Sequence, residues 1–342
     1  MKVLIVDDSA VIRSILKHIF KTQENNSITI VGNGKTGQDA ITLNRELKPD
    51  IIIMDVNMPI MDGLEATRII MKESPVPILI FSSSIDKEIS FNALKYGALD
   101  VMHKPEMSEI NDPIFYKNFI DKLFKLSKVK LTQPSKESYD NLQKEVGVKE
   151  TQYKVVVMGA STGGPNAVSE ILKRLPQNFP LGIILVQHLQ EGFDENYANW
   201  LNSETNFKVK LAHNKNRVIA GEVLIAPVEK HLVFSDENHV CFDNSPRVLN
   251  QKPSVDVLFK SAANLFRKNV IGILLTGMGA DGAQGCLEIK QNGGITLVQD
   301  QKSSIIFGMP KAAIQKGGAS QVLSLKNIPI HLIKLLKNHK KK

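Results

Sequence analysis

Cysteine is almost missing from this chain. Two residues, Cys241 and Cys286, stand among 342. They are too few for a disulfide framework, and their scarcity fits a reducing compartment. Long apolar runs are missing too: no stretch approaches the roughly 18 apolar residues of a membrane span. The opening MKVLIVDDSA carries one lysine and a short apolar run broken by two aspartates, which does not fit a signal peptide. A cytoplasmic protein without membrane insertion is expected. An HExxH pair and clustered Cys/His spacing are absent, and the glycine-rich turn Gly159–Pro165 has neither the GxGxxG spacing nor a Walker lysine, since Asn166 follows it, which removes the usual zinc signatures and the usual nucleotide signatures at that turn. Aromatics are only 6% of residues, and no basic helix interleaves them. The net charge of +8 is therefore not read as a nucleic-acid surface. Part of it is Lys334, Lys337, Lys340, Lys341 and Lys342 at the C-terminus, read as a solvated face.

What is present is enough for two cores: 42% hydrophobic and 23% charged residues over a two-domain length. Residues 1–127 alternate apolar runs (Val3–Val6, Ile28–Val31, Ile51–Met54, Ile78–Phe81, Asp100–His103) with helix-period stretches near Ala10–Thr22, Thr36–Leu47, Leu64–Lys72, Glu88–Lys95 and Pro113–Leu126. That alternation predicts a doubly wound parallel α/β domain. Residues 128–152 turn polar and charged and read as a linker. A second α/β pattern fills 153–342. Its strands are expected at Val155–Met158, Ile183–Val186, Val223–Ile225, Val270–Leu275 and Ile295–Val298, and a β-hairpin is expected to be inserted within Val223–Phe242.

Ligands of open parallel sheets bind at the carboxyl ends of strands. In the first domain those ends carry Asp7 and Asp8, Asp55, Ser82 and Lys104. Each alone is weak, since an aspartate after a strand is often a helix cap. Together they make a chemical set. Carboxylates hold a hard divalent cation such as Mg²⁺, one carboxylate serves as nucleophile toward a phosphoryl group, and a lysine and a hydroxyl pair with the phosphoryl oxygens. In the second domain, Gly159-Ala160-Ser161-Thr162-Gly163-Gly164-Pro165 follows a strand. This fits the strand-to-helix turn that exposes a serine nucleophile. It fits a phosphate-cradling turn equally well. A serine needs a base and an orienting carboxylate. His188 and Asp281 both follow strands, so three suited groups are expected at neighbouring strand ends. His213 and His239 are expected to be exposed. His231 reads as groove-lining or structural, and Cys241 and Cys286 read as core.

The acidic set with Asn57-Met58-Pro59-Ile60-Met61-Asp62-Gly63 resembles the receiver domain of two-component response regulators. GASTGGP, Val186-Gln187-His188, Ala226-Pro227 with His231, Lys252-Pro253-Ser254-Val255-Asp256-Val257-Leu258-Phe259 and TGMGADGA together resemble the methylesterase domain of the CheB family. The resemblance implies two doubly wound parallel-sheet domains, a flavodoxin-like receiver and a Rossmann-like methylesterase domain. It implies Asp55 as phosphoacceptor, Mg²⁺ on Asp7, Asp8 and Asp55, and Ser82 and Lys104 sensing the phosphoryl group. It further implies Ser161 as nucleophile, His188 as base, Asp281 as orienting carboxylate, and the backbone amides of Thr162 and Met278 as oxyanion donors, with no cofactor for ester hydrolysis. The implied partners are methyl-accepting chemoreceptors as substrate and the histidine kinase CheA as phosphodonor. Glu191 and Lys252 depart from the family's usual residues and bear on substrate docking. Two rivals remain: a phosphorylation-controlled DNA-binding regulator, against which the long α/β second half counts, and a phosphate- or nucleotide-binding module built on Ser161–Gly164.

Overall fold

A computed structural model of the chain describes residues 1–21, 28–83, 92–105, 112–129, 151–189 and 191–337. The expected linker, the start of the helix expected at Glu88–Lys95 and the last three tail lysines lie mostly or wholly outside the described residues. The chain divides into two compact units, Met1–Pro134 and Ser135–Lys342.

In the first unit, β1 (Lys2–Val6), β2 (Thr29–Gly34), β3 (Ile51–Met54), β4 (Ile78–Ser82) and β5 (Asp100–His103) form one sheet of order β2-β1-β3-β4-β5. All of its pairings are parallel. Val3–Val6, Ile51–Met54 and Ile78–Phe81 are fully buried, because a parallel sheet with helices on both faces needs apolar residues on both faces. Helices start where side chains take the first free N–H groups. Thr36 Oγ1 accepts from Asp39 N (3.0 Å), and Asp39 Oδ2 accepts from Thr36 N (3.2 Å). This reciprocal box opens the helix Gly37–Leu47. The strand order reverses between β1 and β3, and that is where an open sheet leaves a crevice.

In the second unit the strands are β6 (Val155–Ala160), β7 (Gly182–Gln187), β8 (Lys208–Leu211), β9 (Asn216–Arg217), β10 (Glu222–Ile225), β11 (His231–Asp236), β12 (His239–Asp243), β13 (Val270–Leu274), β14 (Ile295–Gln299) and β15 (Gln321–Leu323). Seven of them form a parallel sheet of order β15-β14-β13-β6-β7-β10-β8. Its order reverses at β6. Two edge strands, β8 and β15, were not among the expected ones: Lys208–Leu211 alternates charge with apolar side chains, and Gln321–Leu323 is three residues long and largely exposed, so neither makes an apolar run. The inserted antiparallel element is also narrower than Val223–Phe242. Glu222–Ile225 belongs to the parallel sheet, and the hairpin is β11–β12, joined by β9 into a three-stranded sheet.

Helix Val255–Phe266 buries Val255, Leu258, Phe259, Ala262, Ala263 and Phe266, a face of helical period. Phe266 meets Phe234 of β11 edge-on at 4.8 Å. Helix Ala283–Gln291 lies so close to it that a Cβ on Gly285 would fall 2.4 Å from Phe259 Cβ. The N-termini of these two helices therefore converge. Cys286 is buried as expected; Cys241, expected in the core, is only half-buried on β12.

Candidate active site and phosphoryl-acceptor site

In the first unit β1 and β3 are adjacent, so the residues after them meet. Asp7, Asp8 and Asp55 place ligand oxygens within 4.8 Å of one another. Lys104, following β5, bonds Asp7 Oδ2 at 2.8 Å and Asp55 Oδ2 at 2.9 Å. Burial pushes the Asp7 carboxyl up from its ordinary value, against the Lys104 bond and with the help of the Asp55 charge. Three carboxylates converging at one point are a hard-oxygen donor set that fits Mg²⁺. Ser82, at the end of β4, is fully buried, and its hydroxyl has no hydrogen-bond partner among the described residues. A buried hydroxyl left unpaired is costly unless a ligand completes it. Gly63 of the MPIMDG loop is required sterically: a Cβ there would lie 1.9 Å from the Asp55 carbonyl oxygen.

In the second unit β6 lies between β13 and β7. Ser161 leaves β6 at the point where the strand order reverses. Its N–H donates to Thr276 O (3.1 Å), just beyond β13, while His188 N donates to Ala160 O (3.0 Å) from the end of β7. Register thus sets Ser161 and His188 side by side, with the Thr276–Gly282 loop on the other flank. Gly163 takes φ +76°, Pro165 sits in the first turn of helix Gly164–Arg174, and the chain turns sharply at Ser161.

His188 Nε2 bonds Asp281 Oδ2 at 2.9 Å. Its Nδ1 is buried without a partner among the described residues. The Asp281 carboxylate accepts three more bonds: Ser254 Oγ to Oδ1 (2.7 Å), Val255 N to Oδ2 (2.7 Å) and Asp256 N to Oδ1 (2.9 Å). Burial works to raise its pKa, but the His188 bond and charge and these N–H groups outweigh burial and hold it below the ordinary value. Asp256 is the opposite case. Burial, opposed by the N–H groups of Gly285, Gly282 and Gln284 and reinforced by the Asp281 charge, pushes it up to about 6. The N–H groups of Thr162 and Met278 are not committed to partners within the described residues. Met278 follows Gly277, whose Cβ, if present, would lie 2.8 Å from Ser161 Cβ.

Several residues of the site had no individual signal in the sequence. Gln187, nearly fully buried, donates to Ser161 O (2.9 Å) and His188 O (3.1 Å). Thr276 Oγ1 donates to Thr162 O (3.0 Å), and Gln299 Oε1 accepts from Thr276 N (2.8 Å). Gln187 and Thr276 fall within the motifs quoted above without a role of their own there, and each, like Gln299, is marked as a polar residue at the end of an apolar strand. Lys252 turns inward, Nζ to Ser245 O at 2.7 Å. His231 is fully buried rather than lining a groove.

The comparisons with known proteins agree with this geometry. Residues 156–332 match the family model for CheB methylesterase, and residues 3–114 match that for the response regulator receiver domain. The chain belongs to the CheB methylesterase family. Among its relatives is protein-glutamate methylesterase/protein-glutamine glutaminase 2 of Methanospirillum hungatei, 39% identical with 92% of each chain covered. The protein-glutamate methylesterase/protein-glutamine glutaminase of Pyrococcus horikoshii is 35% identical, with 98% of this chain and 93% of that one covered. The solved CheB methylesterase catalytic domain of Thermotoga maritima is similar at 38% identity and a TM-score of 0.52, covering 54% of this chain and 98% of that one. The five-stranded and seven-stranded sheets are of the parallel α/β type expected for a CheB chain. No helix among the described residues is long and apolar enough to cross a membrane.

Proposed function

We propose that this chain is a phosphorylation-activated protein-glutamate methylesterase and protein-glutamine glutaminase of chemotaxis adaptation, with Ser161, His188 and Asp281 as its triad. One observation carries the triad: His188 bonds Asp281 through Nε2 and keeps Nδ1 unpartnered, one strand away from Ser161. His188 Nδ1 takes the Ser161 hydroxyl proton as Ser161 Oγ forms a bond to the ester carbonyl carbon. The proton passes to the leaving methoxide as the C–O bond breaks, releasing methanol. Water, deprotonated by the same nitrogen, then attacks the acyl-enzyme and returns the glutamate carboxylate and the free serine. With glutamine the leaving group is ammonia and the steps are otherwise the same. The amides of Thr162 and Met278 receive the oxyanion, a contribution of about 2.7–4 kcal/mol per donor.

In the receiver, Asp55 accepts the phosphoryl group from the histidine kinase CheA, with Ser82 and Lys104 pairing to its oxygens. Asp7, Asp8 and Asp55 would hold Mg²⁺, which would offset the phosphoryl charge. The substrate is a methyl-accepting chemoreceptor, so the reaction takes place in the cytoplasm.

The test is methanol release from a methylated receptor, with and without a small phosphodonor and Mg²⁺. Ser161→Ala is expected to lower turnover by on the order of 10⁶. Asp55→Asn is expected to abolish the phosphodonor response and leave basal turnover intact. Turnover that survives Ser161→Ala would remove Ser161 as the nucleophile, and no methanol release by the unaltered chain would favour a phosphate-binding module instead.

A further inference from the structure

The triad carboxylate is braced by a second histidine. The bond from Ser254 Oγ to Asp281 Oδ1 is 2.7 Å. The same hydroxyl accepts from Val257 N at 3.4 Å as the N-cap of helix Val255–Phe266. A hydroxyl has one proton and two lone pairs. The cap uses a lone pair, so the proton is free for Asp281. The backbone of Ser254 is pinned in turn, because its N–H donates to His231 Nδ1 at 3.1 Å. With Nδ1 accepting, the ring proton of a neutral His231 sits on Nε2, which donates to Pro246 O at 3.0 Å. His231 and Ser254 are both fully buried, and each of these polar atoms has a partner.

We propose that His231 and Ser254 are positioning residues for ester hydrolysis: His231, locked as the Nε2–H tautomer between Pro246 and Ser254, fixes the Ser254 hydroxyl, which fixes the orientation of Asp281 and through it the His188 ring. The proposal rests on the triad reading above. The relay runs from the 244–252 loop to the first residue of β11, the helix cap and the triad, and His231 contacts neither Ser161 nor His188 in it. Without the Ser254 bond, Asp281 Oδ1 keeps only the Asp256 N–H, and the carboxylate is free to rotate away from His188. In the orientation that still faces His188, the carboxylate has lost one donor, is more basic and holds the imidazolium of His188 more tightly. The acid limb of the pH profile then moves to higher pH. The titratable groups that face Asp281 are His188, from the end of β7, and Asp256, from helix Val255–Phe266; Asp243 and Lys252 lie near His231. None of these is altered in the variants below.

The experiment measures methanol release by the full chain, with kcat, KM and the pH dependence of kcat, for Ser161→Ala, Ser254→Ala, Ser254→Thr, His231→Asn and His231→Phe. Ser254→Ala is expected to lower kcat by about 10- to 100-fold with little change in KM, and to move the acid limb upward. Ser254→Thr keeps the hydroxyl and is expected to restore most of the rate. His231→Asn, whose carbonyl oxygen can still accept from Ser254 N–H, is expected to fall less than His231→Phe. The pH limb is independent of how much enzyme is folded, so a variant that lowers yield still reports. An unmoved acid limb in Ser254→Ala and His231→Phe, with any rate loss matched by lost folded protein, overturns the proposal and leaves both residues structural. Wild-type turnover in Ser161→Ala overturns the triad reading and this proposal together, and so is told apart from failure of the relay alone.

Discussion

Replacing Asp281 with asparagine changes one atom and should disable the site through tautomerism. The carboxylate accepts four bonds: Ser254 Oγ and Asp256 N at Oδ1, His188 Nε2 and Val255 N at Oδ2. An amide offers one accepting oxygen and one NH₂ group, so the side chain must choose. If NH₂ takes the Oδ1 side, it opposes the Asp256 N–H and forces Ser254 to turn its own proton away, leaving two buried donors unpaired. If NH₂ takes the Oδ2 side, only the Val255 N–H is orphaned, because His188 can accept from the amide through a deprotonated Nε2. The second choice saves one buried donor, about 1–3 kcal/mol, and it wins. Its consequence is that the ring proton moves to Nδ1, the nitrogen that must take the Ser161 proton. The rate loss expected of a wrong tautomer is about 10⁴ in kcat. The orphaned Val255 N–H should also lower stability by about 1–3 kcal/mol. Methanol release gives the first number, and denaturant unfolding near neutral pH gives the second. A variant within tenfold of wild-type kcat would refute this assignment of the ring nitrogens.

Gly277→Ala should cost at least about 100-fold in kcat with the fold retained, since the new Cβ would lie 2.8 Å from Ser161 Cβ and 2.2 Å from Met309 Sδ; wild-type methanol release would show that the loop yields. Asp256, pushed up to about 6 from 3.8, makes the folded state bind the extra proton between those values. Its contribution is favourable at low pH and is lost as pH rises through about 6. Asp256→Asn should therefore gain stability over wild type between about pH 4 and pH 7, by on the order of 2 kcal/mol after discounting for partial exposure, and a difference that stays flat across paired urea titrations would exclude it. Ile60 is almost fully exposed at φ +69°, the centre of a tight turn closed by Met61 N to Pro59 O at 2.8 Å. A β-branched residue there is strained, and Ile60→Gly should stabilise the first unit by about 1 kcal/mol in denaturant unfolding.

Buried parallel strands were legible because they must be apolar on both faces. Val3–Val6, Ile51–Met54 and Val270–Leu274 stand out as runs. Strand ends were legible because polar groups there interrupt those runs, which is how Asp7, Asp55, Ser161, His188 and Asp281 became visible. β8 and β15 were not, since an edge strand is solvated on one side and carries lysines and a glutamine. The bracing of the site was also hidden. Ser254 caps its helix, but its bond to a residue 27 positions away depends on how two helices dock. His231 looked equally like a groove residue, and only its burial against Ser254 and Pro246 decides the matter.

The docking of those two helices also explains how a buried carboxylate stays ionised when no lysine or arginine bonds to it among the described residues. Asp281, just before helix Ala283–Gln291, takes the N–H groups of Val255 and Asp256 in the other helix. Asp256, in the first turn of that helix, takes Gly285 N at 2.7 Å. Each helix is thus capped by the other's aspartate, and both carboxylates face the positive end of a helix dipole. Two such charges so close cannot be held equally. Asp281 has the extra donors, Ser254 Oγ and His188 Nε2, and falls below its ordinary value, whereas Asp256 lacks them and rises. The asymmetry puts the stable negative charge on the carboxylate that faces His188. That charge opposes the positive charge His188 acquires on taking the Ser161 proton, so the helix pair that builds the core of this unit also sets the electrostatics of its proton transfer.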